Sequence, residues 1–141
     1  QLTNSELYQI LQLRSAVFVV EQQCVYQDID DKDVIAHHLF AMENKVMVAY
    51  CRILPAGVSA PEAAIGRIIV SPAQRGRNLS RLLIQKAIDI VTNEWLQKRI
   101  YIMAQAHLVP LYASLGFVVH SMAYLEDGIP HVDMLWGQNS V

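Results

Sequence analysis

A short loop between a predicted strand and a predicted helix carries the residues best suited to bind an anion. It reads Arg75-Gly-Arg-Asn-Leu-Ser80, and Arg81 follows it. A helix N-terminus offers unpaired N–H groups and partial positive charge, which favour a phosphate. Gly76 lets the backbone approach a ligand, and Asn78 is among the few other residues that tolerate a left-handed conformation. The loop is neither a Walker loop nor a dinucleotide fingerprint, so a capped helix with solvated arginines is the alternative.

Hydrophobic patterning places this loop inside a strand–helix–strand unit. Residues 65–70 are mostly β-branched and predict a buried strand, and residues 99–104 predict a second one. Between them, apolar residues repeat at helical spacing from Leu79 to Val91, which predicts a helix ending near Asn93. Strand, helix and strand follow one another within about forty residues. Such a helix carries the chain back to the end of the sheet where the first strand began, so the two strands run parallel.

The N-terminal third of the chain is predicted to hold a helix and a hairpin. Apolar residues follow helical spacing from about Ser5 to Phe18, with Asn4 or Ser5 as the N-cap. Residues 38–43 and 46–54 are two apolar runs separated by Glu43-Asn44-Lys45, which predicts a β-hairpin.

The C-terminal part is predicted to add a short helix and a second hairpin. Pro110 and Gly116 bound the helix, and residues 117–125 and 132–136 form the hairpin around Asp127-Gly128. The whole pattern predicts one α/β domain over residues 1–141, with a central mixed β-sheet flanked by helices. The chain begins at Gln1 rather than Met, which leaves room for a strand ahead of it.

The composition fits a folded domain and argues against two classes of partner. Apolar residues make up 53% of the 141 residues and charged residues 17%, enough to bury a sizeable core. The net charge of -2 lacks the basic excess expected of a nucleic-acid binder. The longest apolar runs, such as residues 46–51, are far shorter than the ~18 residues that a membrane helix needs.

The cysteines and two adjacent histidines are expected to be structural. Cys24 and Cys51 are 27 positions apart with no local partner pattern, so we expect reduced, buried side chains in a cytoplasmic protein. His37 and His38 head a strand and alternate between its faces, so they cannot present both rings to one metal. No metal site is predicted.

Four aspartates lie close together between the first helix and the first strand. The spacing of Asp28, Asp30, Asp31 and Asp33 lacks the glycine and the distal glutamate of a calcium loop. We expect a solvated loop here. The alternative is an acidic lip that attracts a cationic amine, because clustered carboxylates concentrate cations.

A second motif directly follows the second parallel strand and reads Leu111-Tyr112-Ala-Ser-Leu-Gly116-Phe117. Together with the Arg-Gly loop, it resembles the GNAT superfamily of acetyl-CoA-dependent N-acetyltransferases, and it implies the GNAT fold. The resemblance covers nearly the whole chain. The motifs similar to the bacterial ElaA branch of that superfamily are Leu13-Arg-Ser-Ala-Val-Phe-Val-Val-Glu-Gln22, Tyr26-Gln-Asp-Ile-Asp30, Ala104-Gln-Ala-His-Leu108 and Glu126-Asp-Gly-Ile-Pro-His131.

The resemblance implies acetyl-CoA as the acyl donor, bound along the strand–loop–helix unit. Backbone N–H groups of Ile69 and Val70 would contact pantetheine and the thioester oxygen. Gln105 matches a position where relatives often carry an asparagine that contacts the cofactor. The usual loop signature has glycines where this chain has Asn78 and Ser80, both of which still offer backbone N–H groups. The residues implied to hold the pyrophosphate are Arg75, Gly76, Arg77, Asn78, Leu79 and Ser80.

The resemblance also implies direct attack of a primary amine on the thioester. Tyr112 matches the tyrosine that protonates the departing thiolate in many relatives, and a phenol is protonated at neutral pH. No single base is evident, and a chain of waters often replaces one in this family. The residues expected near the acceptor are Phe18, Glu21, Tyr26, His107, Glu126 and His131, of which the histidines and glutamates are rival bases.

Two other functions fit parts of the sequence. A non-catalytic acyl-CoA-binding module would need the loop but not Tyr112, and a generic phosphate site in an unrelated α/β protein would need the loop alone. The partners expected are a small-molecule or peptide amine, with no nucleic acid and no membrane. A homodimer is a further option from the family resemblance, and nothing in the sequence selects it.

Overall fold

A single mixed sheet forms the centre of the computed structural model, which describes residues 1–23 and 28–137. Its strands lie in the order β1 (His37–Glu43), β2 (Val46–Leu54), β3 (Ala63–Val70), β4 (Arg99–Gln105), β7 (Ile129–Gly137) and β5 (Phe117–Val119). Strand β6 (Tyr124–Glu126) also pairs with β7. The described helices pack on both faces of this sheet. The predicted mixed α/β architecture is confirmed. Among the described residues, none of the helices has both the length and the apolar character of a membrane span.

Helix α1 (Asn4–Arg14) is capped by Thr3, one residue before the predicted caps. The Thr3 hydroxyl accepts from the Glu6 N–H at 3.1 Å, and the Glu6 carboxylate accepts from the Thr3 N–H at 2.8 Å. This reciprocal capping box satisfies two N–H groups at once, which neither Asn4 nor Ser5 could do from inside the first turn. The helix continues as a π-helical segment over Ser15–Glu21.

The predicted first hairpin is confirmed as β1 (His37–Glu43) and β2 (Val46–Leu54). Its two turn residues, Asn44 and Lys45, both have positive φ values, of 51° and 66°. Left-handed conformations at both turn positions match the right-handed twist of the flanking strands.

Side chains alternate between the two faces of these strands, as predicted. His37 stacks on Trp95 with ring centroids 5.4 Å apart, whereas the His38 ring lies 2.6 Å from the Tyr50 hydroxyl on the opposite face. Cys51 is fully buried beneath helix α2 (Leu79–Asp89), as expected of a small apolar residue. Cys24 lies outside the described residues.

The predicted βαβ unit is confirmed as β3 (Ala63–Val70), α2 (Leu79–Asp89) and β4 (Arg99–Gln105), with β3 and β4 parallel. A π-helical segment, Ile90–Glu94, extends α2. The helix buries Leu83, Ile84, Ala87 and Ile88 against the sheet.

The C-terminal hairpin differs from the prediction, because residues 117–125 are not one strand. Helix α3 (Val109–Ser114) leads into β5 (Phe117–Val119), and β6 (Tyr124–Glu126) forms only after a break. Both strands pair with β7 (Ile129–Gly137), but residues 120–123 face only residues 132–133 of that strand. The surplus residues cannot stay in the ladder, so they leave it as an irregular segment.

Gly116 ends α3 in a conformation that only glycine adopts easily, and we predict that Gly116→Ala destabilises the fold. Its φ is +104°, and an added Cβ would lie 2.8 Å from the Trp136 indole nitrogen. That nitrogen donates to the Leu115 carbonyl at 3.1 Å, so the ring is not free to move. Strained backbone costs about 1–3 kcal/mol of unfolding free energy, measurable by urea denaturation.

The control is Gly66→Ala, because a Cβ at Gly66 would meet nothing within 4 Å. Its unfolding free energy should stay within about 0.5 kcal/mol of the parent value. Equal losses in the two variants would contradict the assignment of strain to Gly116.

Candidate active site

The parallel strands β3 and β4 separate before either strand ends. Their pairing stops at Ile65 and Ile102, although β3 continues to Val70 and β4 to Gln105. Arg67, the next residue but one along β3, has a φ of +52°. The register between β2 and β3 also shifts there, which marks a β-bulge. A bulge bends its strand, so β3 turns away from β4 and a wedge opens between their carboxyl ends.

A cleft of about 480 Å³ occupies the space beside this wedge. This volume falls within the ~300–1,000 Å³ that is usual for small-molecule sites. Side chains from both separating strands line it, together with the segment after α1, the loop before β1 and the β6–β7 turn. The sequence-predicted residues that the structure brings together in the cleft are Phe18, Gln105, Tyr112, Glu126 and His131.

Tyr112 is a buried side chain of α3 at the wall of the cleft. Its ring meets Phe117 edge to face, with centroids 6.0 Å apart. Burial raises the pKa of the Tyr112 hydroxyl, and the neighbouring Cys51 thiol raises it further. The hydroxyl therefore remains a proton donor at neutral pH, and a free phenolate is disfavoured.

The predicted anion-binding loop precedes α2 in the expected conformation. Gly76 and Asn78 have φ values of +88° and +60°, and the helix begins at Leu79. The Asn78 side chain does not cap the helix, so it leaves the first backbone N–H groups to other acceptors. This local geometry suits the phosphate that the sequence predicted.

Two arginines of this loop pair with carboxylates of other elements. Arg75 donates to both carboxylate oxygens of Glu21, at 2.6 and 2.9 Å, and to the Val70 carbonyl at 3.2 Å. Arg77 pairs with Glu43 at 3.1 Å. The hydrogen bond from Arg75 lowers the pKa of Glu21. Both pairs are exposed, so they are weak and can exchange for another anion.

The acidic segment before β1 is neither solvated nor an acidic lip, which corrects the expectation from the sequence. Asp28, Asp30 and Asp33 face three arginines, and only Asp31 is exposed. An ion-pair network therefore neutralises the carboxylates that would attract a free cation. Its members, called the Arg–Asp network below, are Arg14, Asp28, Asp30, Asp33, Arg52 and Arg67.

Arg14 is the most buried member of the Arg–Asp network, with 0% of its surface exposed. It donates to the Asp28 carboxylate at 3.0 Å, the Asp33 carboxylate at 2.7 Å and the Asp28 carbonyl at 2.8 Å. Its guanidinium carbon lies 5.8 Å from the centre of the Tyr50 ring. The helix α1 is thereby tied to the segment after residue 27.

Arg52 and Arg67 connect the same carboxylates to the wall of the cleft. Arg52 donates to both oxygens of Asp30, at 2.6 and 3.0 Å, and to Asp33 at 3.2 Å. Arg67, the residue at the β3 bulge, donates to Asp28 at 2.9 Å. Because Asp30, Arg52 and Arg67 also line the cleft, the network forms one of its walls.

We predict that the Arg–Asp network loses stability in acid. Burial opposes ionisation of Asp30 and Asp33, but hydrogen bonds from Arg52 and Arg14 more than offset it and lower both pKa values. A lowered folded-state pKa gives stability that is present above the unfolded value of about 4 and lost as pH falls below it. The urea midpoint should therefore drop between about pH 5 and about pH 3.

The matched variants separate this effect from general acid unfolding. Asp30→Asn should flatten the pH dependence of the urea midpoint. The control, Asp31→Asn, changes an exposed aspartate outside the network and should keep the pH dependence of the parent. An identical pH dependence in all three proteins would contradict the role given to the network.

Several predicted residues do not line the cleft. Ile69 and Val70 lie at the end of β3, as predicted, and their side chains are buried. His107 is exposed and does not line the cleft, and Glu21 faces Arg75 instead. Tyr26 lies outside the described residues. Within residues 1–23 and 28–137, no group of three His, Cys, Asp or Glu side chains could hold a metal ion.

Sequence reasoning missed the arginines of the network and a pair of tyrosines. Tyr101 and Tyr124 both donate to one oxygen of Asp133, at 2.7 and 2.6 Å. Burial, and then the hydrogen bond with Asp133, raise the pKa of Tyr101 to about 12. One signal was available for Arg14, because it occupies the apolar stripe of its helix, where a charge must be buried and paired.

Comparison with known proteins agrees with this geometry. The family described as "Acetyltransferase (GNAT) domain" matches residues 6–137. The chain belongs to the GNAT acetyltransferase family. It is 46% identical to the protein ElaA of Escherichia coli over 136 residues, which covers 95% of this chain and 89% of that protein.

Solved structures of GNAT relatives have the same fold. An acyl-CoA N-acyltransferase from Pseudomonas aeruginosa is 42% identical and superposes with a TM-score of 0.91, covering 97% of this chain and 94% of that one. The crystal structure of E. coli ElaA gives the same TM-score at 44% identity, covering 96% of this chain and 93% of that one. The resemblance stated from the sequence is thus confirmed.

Membership of the GNAT family makes this protein an acyltransferase, and GNAT proteins take an acyl-CoA as co-substrate. The wedge between β3 and β4 and the loop before α2 suit such a long, phosphate-bearing molecule. Backbone groups along the separated strands have no partner in each other, and the loop offers N–H groups at the helix N-terminus.

Proposed function

We propose that residues 1–141 form one acetyltransferase domain, which transfers an acetyl group from acetyl-CoA to a primary amine. The observation that carries the proposal is the wedge between β3 and β4, which opens onto a cleft containing Tyr112. A donor lying in the wedge would place its reactive thioester beside that hydroxyl. A cytoplasmic location is part of the proposal.

The acetyl-CoA molecule would lie along β3, with its pyrophosphate towards the N-terminus of α2. The backbone N–H groups of Ile69 and Val70 would bind pantetheine and the thioester oxygen, and Gln105 would contact the chain from β4. One backbone N–H group fixed in this way typically stabilises the developing oxyanion by about 3 kcal/mol. The pyrophosphate would be held by the loop residues Arg75, Gly76, Arg77, Asn78, Leu79 and Ser80.

Arg75 would change partner when the donor binds. Its guanidinium donates to the Glu21 carboxylate and to the Val70 carbonyl, and these hydrogen bonds hold it beside the loop. A pyrophosphate carries more charge than one carboxylate, and bidentate pairing with phosphate is favourable for arginine. Because the pair with Glu21 is exposed, it opposes this exchange only weakly.

Tyr112 would act as the acid when the C–S bond breaks. The amine attacks the thioester carbon and forms a tetrahedral intermediate, whose collapse releases the thiolate of coenzyme A. Burial raises the pKa of Tyr112, so a phenolate cannot accumulate there. Tyr112 therefore gives its proton to sulfur as it takes one from the nitrogen of the intermediate, which avoids a buried negative charge.

The acceptor would enter through the cleft, as a small molecule or as a peptide amine. Phe18 offers an apolar wall, and Glu126 offers a carboxylate to orient an ammonium group. The Arg–Asp network forms the facing wall and is neutral as a whole, because three arginines balance three aspartates.

The test is acetyl transfer to a panel of primary amines: alkylamines, a polyamine, amino-acid amides and a lysine peptide. Release of the coenzyme A thiol is measured together with mass spectrometry of the acetylated amine. We expect at least one amine to be acetylated in proportion to enzyme concentration. Acetyl-CoA binding without transfer to any amine would instead support a non-catalytic acyl-CoA-binding module.

A further inference from the structure

We infer that His131 is the base that takes the first proton from the acceptor ammonium, at its Nε2 atom. The inference rests on the proposed function, because it needs an amine in the cleft. An amine is mostly protonated at neutral pH, and it must lose a proton before it can attack.

His131 lies where the chemistry would occur. It is on β7, directly opposite Gln105, the last residue of β4. The helix that carries Tyr112 begins four residues later, and both side chains line the same cleft. A base on β7 and an acid on α3 would therefore act on one bound amine and thioester.

The hydrogen bond of His131 to the backbone fixes which nitrogen can accept a proton. Its Nδ1 atom lies 2.7 Å from the Ile129 carbonyl oxygen. A carbonyl oxygen only accepts, so Nδ1 must carry the hydrogen. In the neutral imidazole the lone pair is then on Nε2, the nitrogen that is not held by the backbone.

The plane of the His131 ring is held by a tyrosine that is itself anchored. Tyr124 stacks on His131 with centroids 6.3 Å apart and an interplanar angle of 22°. The Tyr124 hydroxyl donates to Asp133 at 2.6 Å, next to the bond from Tyr101. His131 itself is only 8% exposed. A ring fixed by stacking, backbone and strand pairing is preorganised for proton transfer.

The other candidate bases are less well placed. His107 lies outside the cleft, and Glu21 is paired with Arg75. Glu126 lines the cleft but is exposed. Its carboxylate would attract the ammonium group of the acceptor into the cleft. Besides Lys32 and the members of the Arg–Asp network that line the cleft, the titratable groups that share the cleft or a ring contact with His131 are Tyr101, Tyr112, Tyr124, Glu126 and Asp127.

The protons balance over the full reaction. The ammonium gives one proton to Nε2 of His131, and the neutral amine then attacks the thioester carbon. The nitrogen of the tetrahedral intermediate gives its second proton to Tyr112 as Tyr112 protonates the sulfur. His131 releases the first proton to solvent, so one ammonium and one thioester yield an amide, a thiol and a free proton.

The test compares His131→Gln with His120→Gln, a control at an exposed histidine outside the cleft. For the best amine of the panel, we expect His131→Gln to lower kcat/KM by about 100-fold or more. The dissociation constant of acetyl-CoA should not change. The pH–rate profile should change shape, with activity rising steadily over the whole neutral and alkaline range, because only the neutral fraction of the amine can react without a base. His120→Gln should retain the activity and the pH profile of the parent.

A measurement on the unmodified protein keeps the inference testable if His131→Gln does not fold. In ¹⁵N-histidine NMR spectra at alkaline pH, His131 should show the Nδ1–H tautomer. The Nε2–H tautomer, or a folded His131→Gln with the kcat/KM and the pH–rate profile of the parent, would overturn the inference. Failure of the unmodified protein to acetylate any amine would overturn the proposed function instead.

Discussion

Replacing Arg14 with methionine is expected to lower the free energy of unfolding by about 3–5 kcal/mol. Methionine has no charge, so the Arg–Asp network would keep three aspartates against two arginines and carry one uncompensated negative charge, although Asp28 and Asp33 would keep Arg67 and Arg52 as partners. Arg14 is fully buried, and it is the group that bonds to both of them from α1. Uncompensated buried charge is among the largest single-residue penalties in a folded protein.

The control for this prediction is Arg77→Met, which makes the same chemical change in an exposed pair. Arg77 lies 3.1 Å from Glu43, and both side chains are about half exposed. Surface pairs contribute at most about 1 kcal/mol, so its urea midpoint should hardly move. Equal losses in the two variants would show that burial of Arg14 is not what makes its ion pairs important.

Loss of Arg14 should also disturb the cleft. Asp30 and Asp33 share Arg52, so a change at one carboxylate is passed to a residue of the cleft wall. Any acetyl transfer that survives in Arg14→Met is therefore expected at a raised KM for the amine. The dissociation constant of acetyl-CoA should change less, because none of the residues proposed to hold acetyl-CoA belongs to the Arg–Asp network.

Tyr112→Phe is expected to lower kcat by about 100-fold or more while the dissociation constant of acetyl-CoA stays the same. Phenylalanine keeps the edge-to-face contact with Phe117 and removes only the hydroxyl. Without a proton donor, the thiolate must leave unprotonated, which raises the barrier to collapse of the intermediate. Single-turnover kinetics and calorimetry of acetyl-CoA binding measure the two quantities separately.

The matched control is Tyr8→Phe, because Tyr8 is 69% exposed on α1. Its kcat should equal that of the parent. Since burial raises the pKa of Tyr112, loss of its proton should not reduce kcat of the parent below about pH 10. A Tyr112→Phe variant with parental kcat would contradict the acid role.

Much of the fold could be predicted because local patterns agreed with the final packing. The β-branched run of β3, the helical spacing of α2 and the Glu43-Asn44-Lys45 turn each specify one local structure. The strand over residues 117–125 was predicted wrongly because its break depends on β7. Only the pairing of β5 and β6 with that strand shows that residues 120–123 are in excess.

The candidate site likewise has one part that the sequence predicts and one part that it does not. The loop at Gly76 and Asn78 was predictable from backbone chemistry that acts within a few residues. The Arg–Asp network was not, because Arg14, Arg52 and Arg67 come from three elements that meet only in the folded protein. A run of aspartates looks solvated in a sequence unless its distant partners are known.

Calorimetric titration of the protein with acetyl-CoA, beside an identical titration with ATP, tests the central claim most directly. We expect one site per chain, a micromolar dissociation constant for acetyl-CoA and markedly weaker binding of ATP. Pantetheine and thioester contacts in the wedge are available to acetyl-CoA alone, whereas both ligands can offer phosphates to the loop. Equal affinity for the two, or no binding of acetyl-CoA, would contradict it.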